Sequence, residues 1–431
     1  MRIEDLYQTF LKCGSVSIDT RNIKVGSIYF SLRGSNFNGN EFAEDALGKG
    51  AEYAVIDDKR FIRNEKTIYV NDSLKALQDL AIFHRRNLKI PVIGITGSNG
   101  KTTTKELMCS VLSNKFNTVA TVGNFNNHIG VPLTILAIQS QHEMAIVEMG
   151  ANHVGEICLL CNIANPTHGL ITNIGSAHVG SFGSFENIVT AKMELFHHLV
   201  SNKGTAFINA NSSVLTDCVK SLKFNHSVFY PNTNTEYPVQ LVDYETFIAF
   251  KTPKGVKIKT KIVGSYNFEN ILAATCVGKY FNIPEAQIYK SVATYSPNNM
   301  RSQLIESGSN KIILDVYNAN PSSMQMAIEN FVAINAKRKV VILGDMFELG
   351  KDADEEHIKI VALLNKSNLE NVYLCGPLMA RAQTQCPTSK SFKTIAELEH
   401  ELKKNPIQNS TILMKGSRGM ALEKLLYLLK E

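Results

Sequence analysis

The residues best suited to chemistry stand in the stretch GITGSNGKTTTKELM, Gly94 to Met108. An apolar run, VIGIT, leads into the turn GSNG, and the segment KTTTKELMCSVL after it reads as a helix. Backbone N–H groups at a helix N-terminus attract phosphate, a lysine there reaches the β/γ oxygens, and the next hydroxyl suits Mg2+. On that reading Gly97, Ser98, Asn99 and Gly100 form the loop, Lys101 meets the phosphates, Thr102 holds the metal and Thr103 stands beside them. Gly97 and Gly100 allow the backbone to come close to an anion. The strict GxxxxGK[ST] pattern wants glycine where this chain has Ile95. A strand before and a helix after Gly-Lys-Thr-Thr nonetheless favour phosphate binding over an ordinary glycine turn capped by threonines.

Phosphoryl transfer also needs oxygen ligands for a hard cation. Glu148 ends the apolar run MAIVEMG, at the strand terminus where open α/β sheets place ligand-binding residues. His178 holds the equivalent place after the next strand, in NIGSAHVGSFGS, and both are candidate metal ligands. Lys192 is harder to explain. On SFENIVTAKMELFHHL, Phe185, Ile188, Leu195 and Leu199 form one apolar stripe with Lys192 in its middle. A snorkelling structural lysine is one account; a face turned toward the nucleotide is the other.

Something must position these residues. The 431-residue chain is long enough for several domains. Residues 1–88 alternate short strands, SIYFSL and AEYAVID, with polar turns and one helix. Residues 89–297 repeat a strand–loop–helix pattern, the mark of a mostly parallel sheet, with a polar interlude at about 225–263 that reads as a few antiparallel strands. After the turn YSPNNMR, residues 298–431 read as four βα units, the last ending in the helix MALEKLLYLL. The expected fold is α/β in three domains: a small N-terminal one, a central phosphate-loop ATPase domain with a mostly parallel sheet, and a doubly wound, Rossmann-like C-terminal one. That last domain lacks GxGxxG, so dinucleotide binding is not its expected task.

The totals exclude several classes. A formal charge of +6 suits anionic small molecules and falls short of a nucleic-acid surface. No apolar run approaches the ~20 residues of a membrane span, and MRIEDLYQTFLKCG carries acids where a signal peptide needs an apolar stretch. Eight scattered cysteines fit reduced thiols in a cytoplasm. Cys158 and Cys161 form a CxxC, but GEICLLCNIANP reads as an amphipathic helix, so a core role is expected for them.

In order along the chain stand TGSNGKTTTKE, NFNNHIGVPLT, VEMGANHVGEI, NIGSAHVGSFGS, AKMELF, YNFENILAA, DVYNANPSS, GDMFELG and LMKGSRGMALE. This series resembles the Mur ligases, whose loop reads TG[ST]xGKT in place of the strict form, and the resemblance runs from Asp19 to the C-terminus. NFNN, YNANP and GDMFELG together are similar to the member that adds a dipeptide. The resemblance implies an ATP- and Mg2+-dependent, ADP-forming ligase of cytoplasmic peptidoglycan precursor synthesis, acting as a monomer on UDP-N-acetylmuramoyl-tripeptide and D-alanyl-D-alanine. It also implies roles. Glu148 and His178 would ligate metal, Lys192 would match a lysine carried as a carbamate, and Asn270 would contact adenine. Arg301 would be the linker arginine directed at the phosphates and Asp315 the ribose-binding acid. Thr20, Arg21 and Arg33 would bind the uridine nucleotide, while Asn124, Asn126 and Asn127 would face the muramoyl peptide. Two positions depart from the family: Asn38-Gly39-Asn40 stands where D-G-H is common, and His128 where many members have an acid.

The mechanism so implied has a substrate carboxylate attack the γ-phosphate and an amine then attack the acyl phosphate. Lys101, Arg301 and the metal offset the charge in transfer. Two alternatives stay open on the residues: a ligase for another amino acid or for folylpolyglutamate, and an ATPase switch that drives only a change of shape.

Overall fold

The computed structural model describes residues 1–175, 179–231, 240–242, 246–367 and 369–430. Among them the strands form three main parallel or mostly parallel sheets, in line with the expected α/β class. The first region holds four short parallel strands in the order Val16–Ser17, Ile28–Phe30, Tyr53–Ile56, Thr67–Tyr69. It carries three α-helices rather than the one expected: Ile3–Cys13, Ala43–Gly48 and Ser73–Asn87. The first was hidden because its acids, Glu4 and Asp5, sit in the opening turn, where they complement the helix dipole, while Leu6, Tyr7 and Phe10 turn inward. Helix Ser73–Asn87 also ties this region to the next. Buried Arg85 donates from Nε to the Ala164 carbonyl at 2.8 Å, and the apolar core runs on without a break.

The central sheet has six strands, all parallel, ordered His226–Tyr230, Thr205–Asn209, His168–Ile171, Val92–Thr96, Met144–Glu148, Thr118–Ala120. Val92–Thr96 lies in the interior, every residue buried, as its Val/Ile-rich run requires. Chain connections leave it toward both sides of the sheet, which makes its C-terminal end the crevice where such sheets bind ligands. The polar interlude divides in two. His226–Tyr230 joins the parallel sheet at its edge, against the expectation of antiparallel pairing there; Gln240–Val242, Phe247–Lys251 and Lys257–Val263 do form an antiparallel sheet. The exposed positions of His226–Tyr230 are those an edge strand leaves in water, which gave it the polar look of the antiparallel interlude.

The C-terminal sheet runs Gln303–Ser307, Asn310–Asp315, Thr411–Lys415, Lys339–Gly344, Asn371–Cys375, Lys390–Phe392, with only the first strand antiparallel. Apolar clusters lie on both faces, as in a doubly wound fold. The final segment, Leu422–Leu429, is wound as a 3-10 helix rather than an α-helix; Leu422, Leu425 and Leu429 are buried at the three-to-four-residue spacing it needs. The CxxC expectation holds for one cysteine. Cys161 is buried against Met149, whereas Cys158, one turn earlier on helix Glu156–Ala164, faces solvent. No described helix is long and apolar enough to cross a membrane.

Candidate active site

The loop between strand Val92–Thr96 and helix Lys101–Leu112 is moored to the neighbouring strand end. Ser98 N–H donates to the Asn173 carbonyl at 3.0 Å, Asn99 N–H to Asn173 Oδ1 at 3.0 Å, and Thr172 Oγ1 to the Asn99 carbonyl at 2.6 Å. Gly97 (φ 144°) and Gly100 (φ 79°) occupy the region that favours glycine. A Cβ at Gly97 would overlap Thr172 Oγ1, and one at Gly100 would press on the Asn270 amide. Lys101 Nζ donates back to the Gly97 carbonyl at 2.6 Å and to that of Ser98 at 3.2 Å. Burial lowers its pKa to about 8, the Glu148 charge opposing and the Arg301 charge adding to that shift. A bound anion would reverse the balance.

Glu148 sits in register with Ile95, two residues before Gly97 on the adjoining strand. It is 1% exposed, and its carboxylate is fully engaged. Thr102 Oγ1 donates to Oε2 at 2.9 Å, Asn126 Nδ2 donates to Oε1 at 2.9 Å, and the buried Lys105 ammonium stands 3.7 Å from Oε2. Two adjacent oxygens from Thr102 and Glu148 fit a hard divalent cation that draws its other ligands from phosphate and water. Among the described residues no group of three or more His, Cys, Asp or Glu gathers to cage a metal. His178 lies outside the described residues.

A cavity of about 690 Å³ opens above this loop and joins parts of the chain far apart in sequence. Its walls include Ser98, Asn99, Gly100, Lys101, Thr102 and Thr103, Glu148, the triplet Asn124, Asn126 and Asn127, then Asn270, Arg301 and Asp315. The neighbouring cavity, about 710 Å³ between Phe185, Pro321, Leu349 and Ile360, carries none of the phosphate-loop glycines or Lys101, so the first is the candidate site. Arg301 stacks its guanidinium 3.9 Å from the Tyr317 ring centroid, and its Nε has no hydrogen-bond partner among the described residues. A buried donor without a partner is costly, and an incoming anion would satisfy it.

Asp315 is less free than its sequence suggested. It stands in register with Lys415 on the adjacent strand, whose Nζ donates to Oδ2 at 2.6 Å, and Oδ1 accepts the Ser302 amide at 3.2 Å. Asn270 is likewise occupied behind the loop: its Oδ1 accepts from Thr104 Oγ1 at 3.0 Å and its Nδ2 donates to Asn267 Oδ1 at 2.8 Å. Asn127 caps helix Gly130–Leu136 by accepting the Ile129 and Gly130 amides.

Some expected residues do not share this cavity. Lys192 is 3% exposed and does not line it; its amine lies 5.2 Å over the Phe182 ring. Burial first, and the Lys101 charge second, lower its pKa to about 7. Ile188, Leu195 and Leu199 surround it as buried residues of the helix, but Phe185 is 38% exposed and leaves the stripe, being the first residue after the Ser184 cap. Thr20, Arg21 and Arg33 belong to the first region and line a different surface. There Arg33 pairs with Asp57 at 2.8 Å. Asn40 buttresses the same carboxylate, Nδ2 to Oδ1 at 2.8 Å, so this departure from the family pattern supports Arg33.

Sequence reasoning missed four contributors: Lys415, Lys105, and the pair Asn320 and Ser322. Asn99 Nδ2 donates to Ser322 Oγ at 3.0 Å and Asn320 Nδ2 to Asn99 Oδ1 at 2.9 Å, so the phosphate loop clasps the start of helix Pro321–Ala333. Lys415 had a signal, a charge ending the apolar strand TILMK just as Glu148 ends MAIVE.

Family models cover nearly the whole chain: the Mur ligase family, catalytic domain matches residues 12–94, the Mur ligase middle domain 95–278, and the Mur ligase, glutamate ligase domain 300–418. The chain belongs to the Mur ligase family. Among its relatives, the UDP-N-acetylmuramoyl-tripeptide–D-alanyl-D-alanine ligase of Bacillus subtilis is 34% identical over 95% of this chain and 92% of its own length. The ligase of that name from Escherichia coli is 30% identical over 97% and 94%. In three dimensions this Mur ligase is similar to MurF of Acinetobacter baumannii, with a TM-score of 0.86 and 27% identity, covering 99% of this chain and 98% of that one. It is also similar to the MurF ligase of Thermotoga maritima in complex with ADP: TM-score 0.80, 27% identity, 98% of each chain.

Proposed function

We infer that the chain is an ATP-dependent, ADP-forming ligase that joins D-alanyl-D-alanine to UDP-N-acetylmuramoyl-tripeptide in peptidoglycan synthesis. The single observation that carries the assignment of its site is the cavity in which the phosphate loop, Glu148, Arg301 and Asp315 meet. In this reading the loop amides and Lys101 hold the ATP phosphates, and Lys101 leaves its contacts with the Gly97 and Ser98 carbonyls to do so. Mg2+, held by Thr102 and Glu148 and, as the family resemblance implies, by His178 and a carboxylated Lys192, would supply charge stabilisation to the transferring phosphoryl group. Arg301 brings a second fixed cation to the same oxygens, and the Tyr317 ring keeps its plane oriented. Asp315, set by Lys415, accepts from the ribose. Asn270 acts behind the loop, accepting from Thr104 and packing against Gly100, and would contact the base from the cavity wall.

Substrate contacts follow the same division. Thr20, Arg21 and Arg33 would take the uridine nucleotide, and Asn124, Asn126 and Asn127 the muramoyl peptide whose carboxylate must reach the γ-phosphate. The clasp of Asn99 with Asn320 and Ser322 supports a closed state that excludes water from the acyl phosphate. We further propose domain limits of 1–88, 89–297 and 298–431, a cytoplasmic location consistent with eight unpaired cysteines, and action as a monomer. The test is phosphate release from ATP and Mg2+ with UDP-N-acetylmuramoyl-tripeptide, with and without D-alanyl-D-alanine. A ligase turns over only with both substrates; release indifferent to the dipeptide would refute the reading.

A further inference from the structure

Arg301 lies on the linker between the central and C-terminal sheets, and its backbone is unusual. The residues on either side, Met300 (φ 60°) and Ser302 (φ 46°), are both left-handed, and neither is glycine. Side-chain-bearing residues hold that conformation only where their surroundings over-determine it. On either side of Arg301 the contacts with the C-terminal sheet are plain: Val316 N–H donates to the Met300 carbonyl at 3.0 Å, and Ser302 N–H donates to Asp315. Ser302 Oγ also lies 2.8 Å from Tyr266 Oη.

Further up the linker, at Tyr295 and Asn299, the anchor is Glu106. This residue follows Lys105 on helix Lys101–Leu112 and does not line the nucleotide cavity. Its carboxylate accepts from Tyr295 Oη at 2.6 Å and from Asn299 Nδ2 at 2.9 Å, contacts that span 189 and 193 residues of sequence. Hydrogen bonds to a carboxylate are short and about twice as strong as neutral ones. Glu106 sits about 7.5 Å along the helix axis from Lys101, at 1.5 Å per residue, so one rigid element carries both. The Arg301 charge is close enough to influence both Tyr295 and Lys101.

We propose that Glu106 is a positioning residue: by clamping Tyr295 and Asn299 to the helix that begins at Lys101, it sets where the linker delivers the Arg301 guanidinium. The loop lysine and the linker arginine are thereby held at a fixed separation, although they belong to parts of the chain that close on each other. The proposal rests on the reading of Arg301 as a phosphate-directed cation. Misplacing such a group by about 1 Å costs up to ~10²-fold in rate.

The experiment is a kinetic cycle on the full-length enzyme with Glu106→Ala, Glu106→Gln, Arg301→Ala and the Glu106→Ala/Arg301→Ala pair, joined to amide hydrogen exchange. Glu106→Ala should lower kcat about 10-fold while the ATP KM stays within about threefold. Glu106→Gln should recover most of that loss, since its oxygen can accept from Asn299 and its NH2 can donate to the Tyr295 oxygen. In the Arg301→Ala background Glu106→Ala should change kcat by less than about twofold, because the route through Arg301 is already gone. Exchange at residues 299–302 should quicken in Glu106→Ala while helix 101–112 stays protected. An equal loss in both backgrounds, or unchanged exchange at the linker, overturns the proposal. If linker exchange quickens but Arg301→Ala turns over normally, the assignment of Arg301 is what falls, and the catalytic role of the clamp falls with it.

Discussion

Lys192 should be carboxylated in the working enzyme, and the structure says how strongly its surroundings favour that. CO2 bonds only to a neutral amine, which loses one proton to water as the carbamate forms. With an ordinary pKa of 10.5, about one lysine in a thousand is neutral at pH 7.5; with the pKa lowered to about 7, roughly three in four are. That is a gain of several hundred-fold in reactive amine, produced by burial and by the neighbouring Lys101 cation. The product replaces an ammonium by oxygens that suit a hard cation. Carbamate occupancy should therefore rise as pH climbs through about 7, in step with the neutral amine, and level off above it. The assay is ¹³C NMR with labelled bicarbonate on wild type and Lys192→Met across pH 6 to 9, read beside the ligation rate. Lys192→Met should lose activity at acyl-phosphate formation, with part of it restored by added formate. No carbamate resonance at pH 8.5 with Mg2+ and saturating bicarbonate, together with an active Lys192→Met enzyme, would refute the reasoning and return the residue to a structural role.

Further expectations are open to direct measurement. In CO2-free buffer without nucleotide, Lys192 holds its proton less tightly folded than unfolded, so wild-type stability should rise between pH 7 and 10.5; Lys192→Met should be more stable below pH 7 by a few kcal/mol, the difference closing across that window in denaturant titrations. Lys101→Ala should lower kcat by roughly 10²-fold or more, read as phosphate release at saturating substrates. Arg301→Ala should act on kcat, whereas Asp315→Asn should act on the ATP KM; the asparagine is chosen because its amide oxygen can still accept from the buried Lys415 ammonium, which alanine would leave with the Asn318 carbonyl. Gly97→Ala should abolish ATP binding measured by calorimetry, since the new methyl overlaps Thr172 in a backbone region that disfavours side chains.

Local order was legible in the sequence because it depends on near neighbours. VIGIT before GSNG and KTTTKELM after it specify strand, turn and helix over seventeen residues, and with them the place of Lys101 and Thr102. Glu148 was legible for a related reason: a carboxylate closing an apolar strand has few places to go but a ligand-binding edge. Where an element's surroundings lie elsewhere in the chain, the same reasoning lost its hold. Phe185 belonged to the periodic stripe of its helix, yet it stands 38% exposed at the wall of a neighbouring cavity. His226–Tyr230 read as part of an antiparallel interlude because its edge position leaves it half in water.

Tertiary structure alone decided the charges and their spacing. The partner of Asp315 is Lys415, 100 residues on, chosen by the register of two parallel strands rather than by any motif. Asn99 meets Asn320 and Ser322 only because the C-terminal sheet packs back over the loop. Lys192 could be recognised as misplaced in an apolar stripe, but how far its pKa falls depends on the depth of burial and on a Lys101 that lies 91 positions earlier. Short-range spacing sets backbone geometry, which is why the phosphate loop was readable. Desolvation and Coulomb energies are set by whatever atoms fill the surrounding few ångströms, and those atoms come from everywhere in the chain.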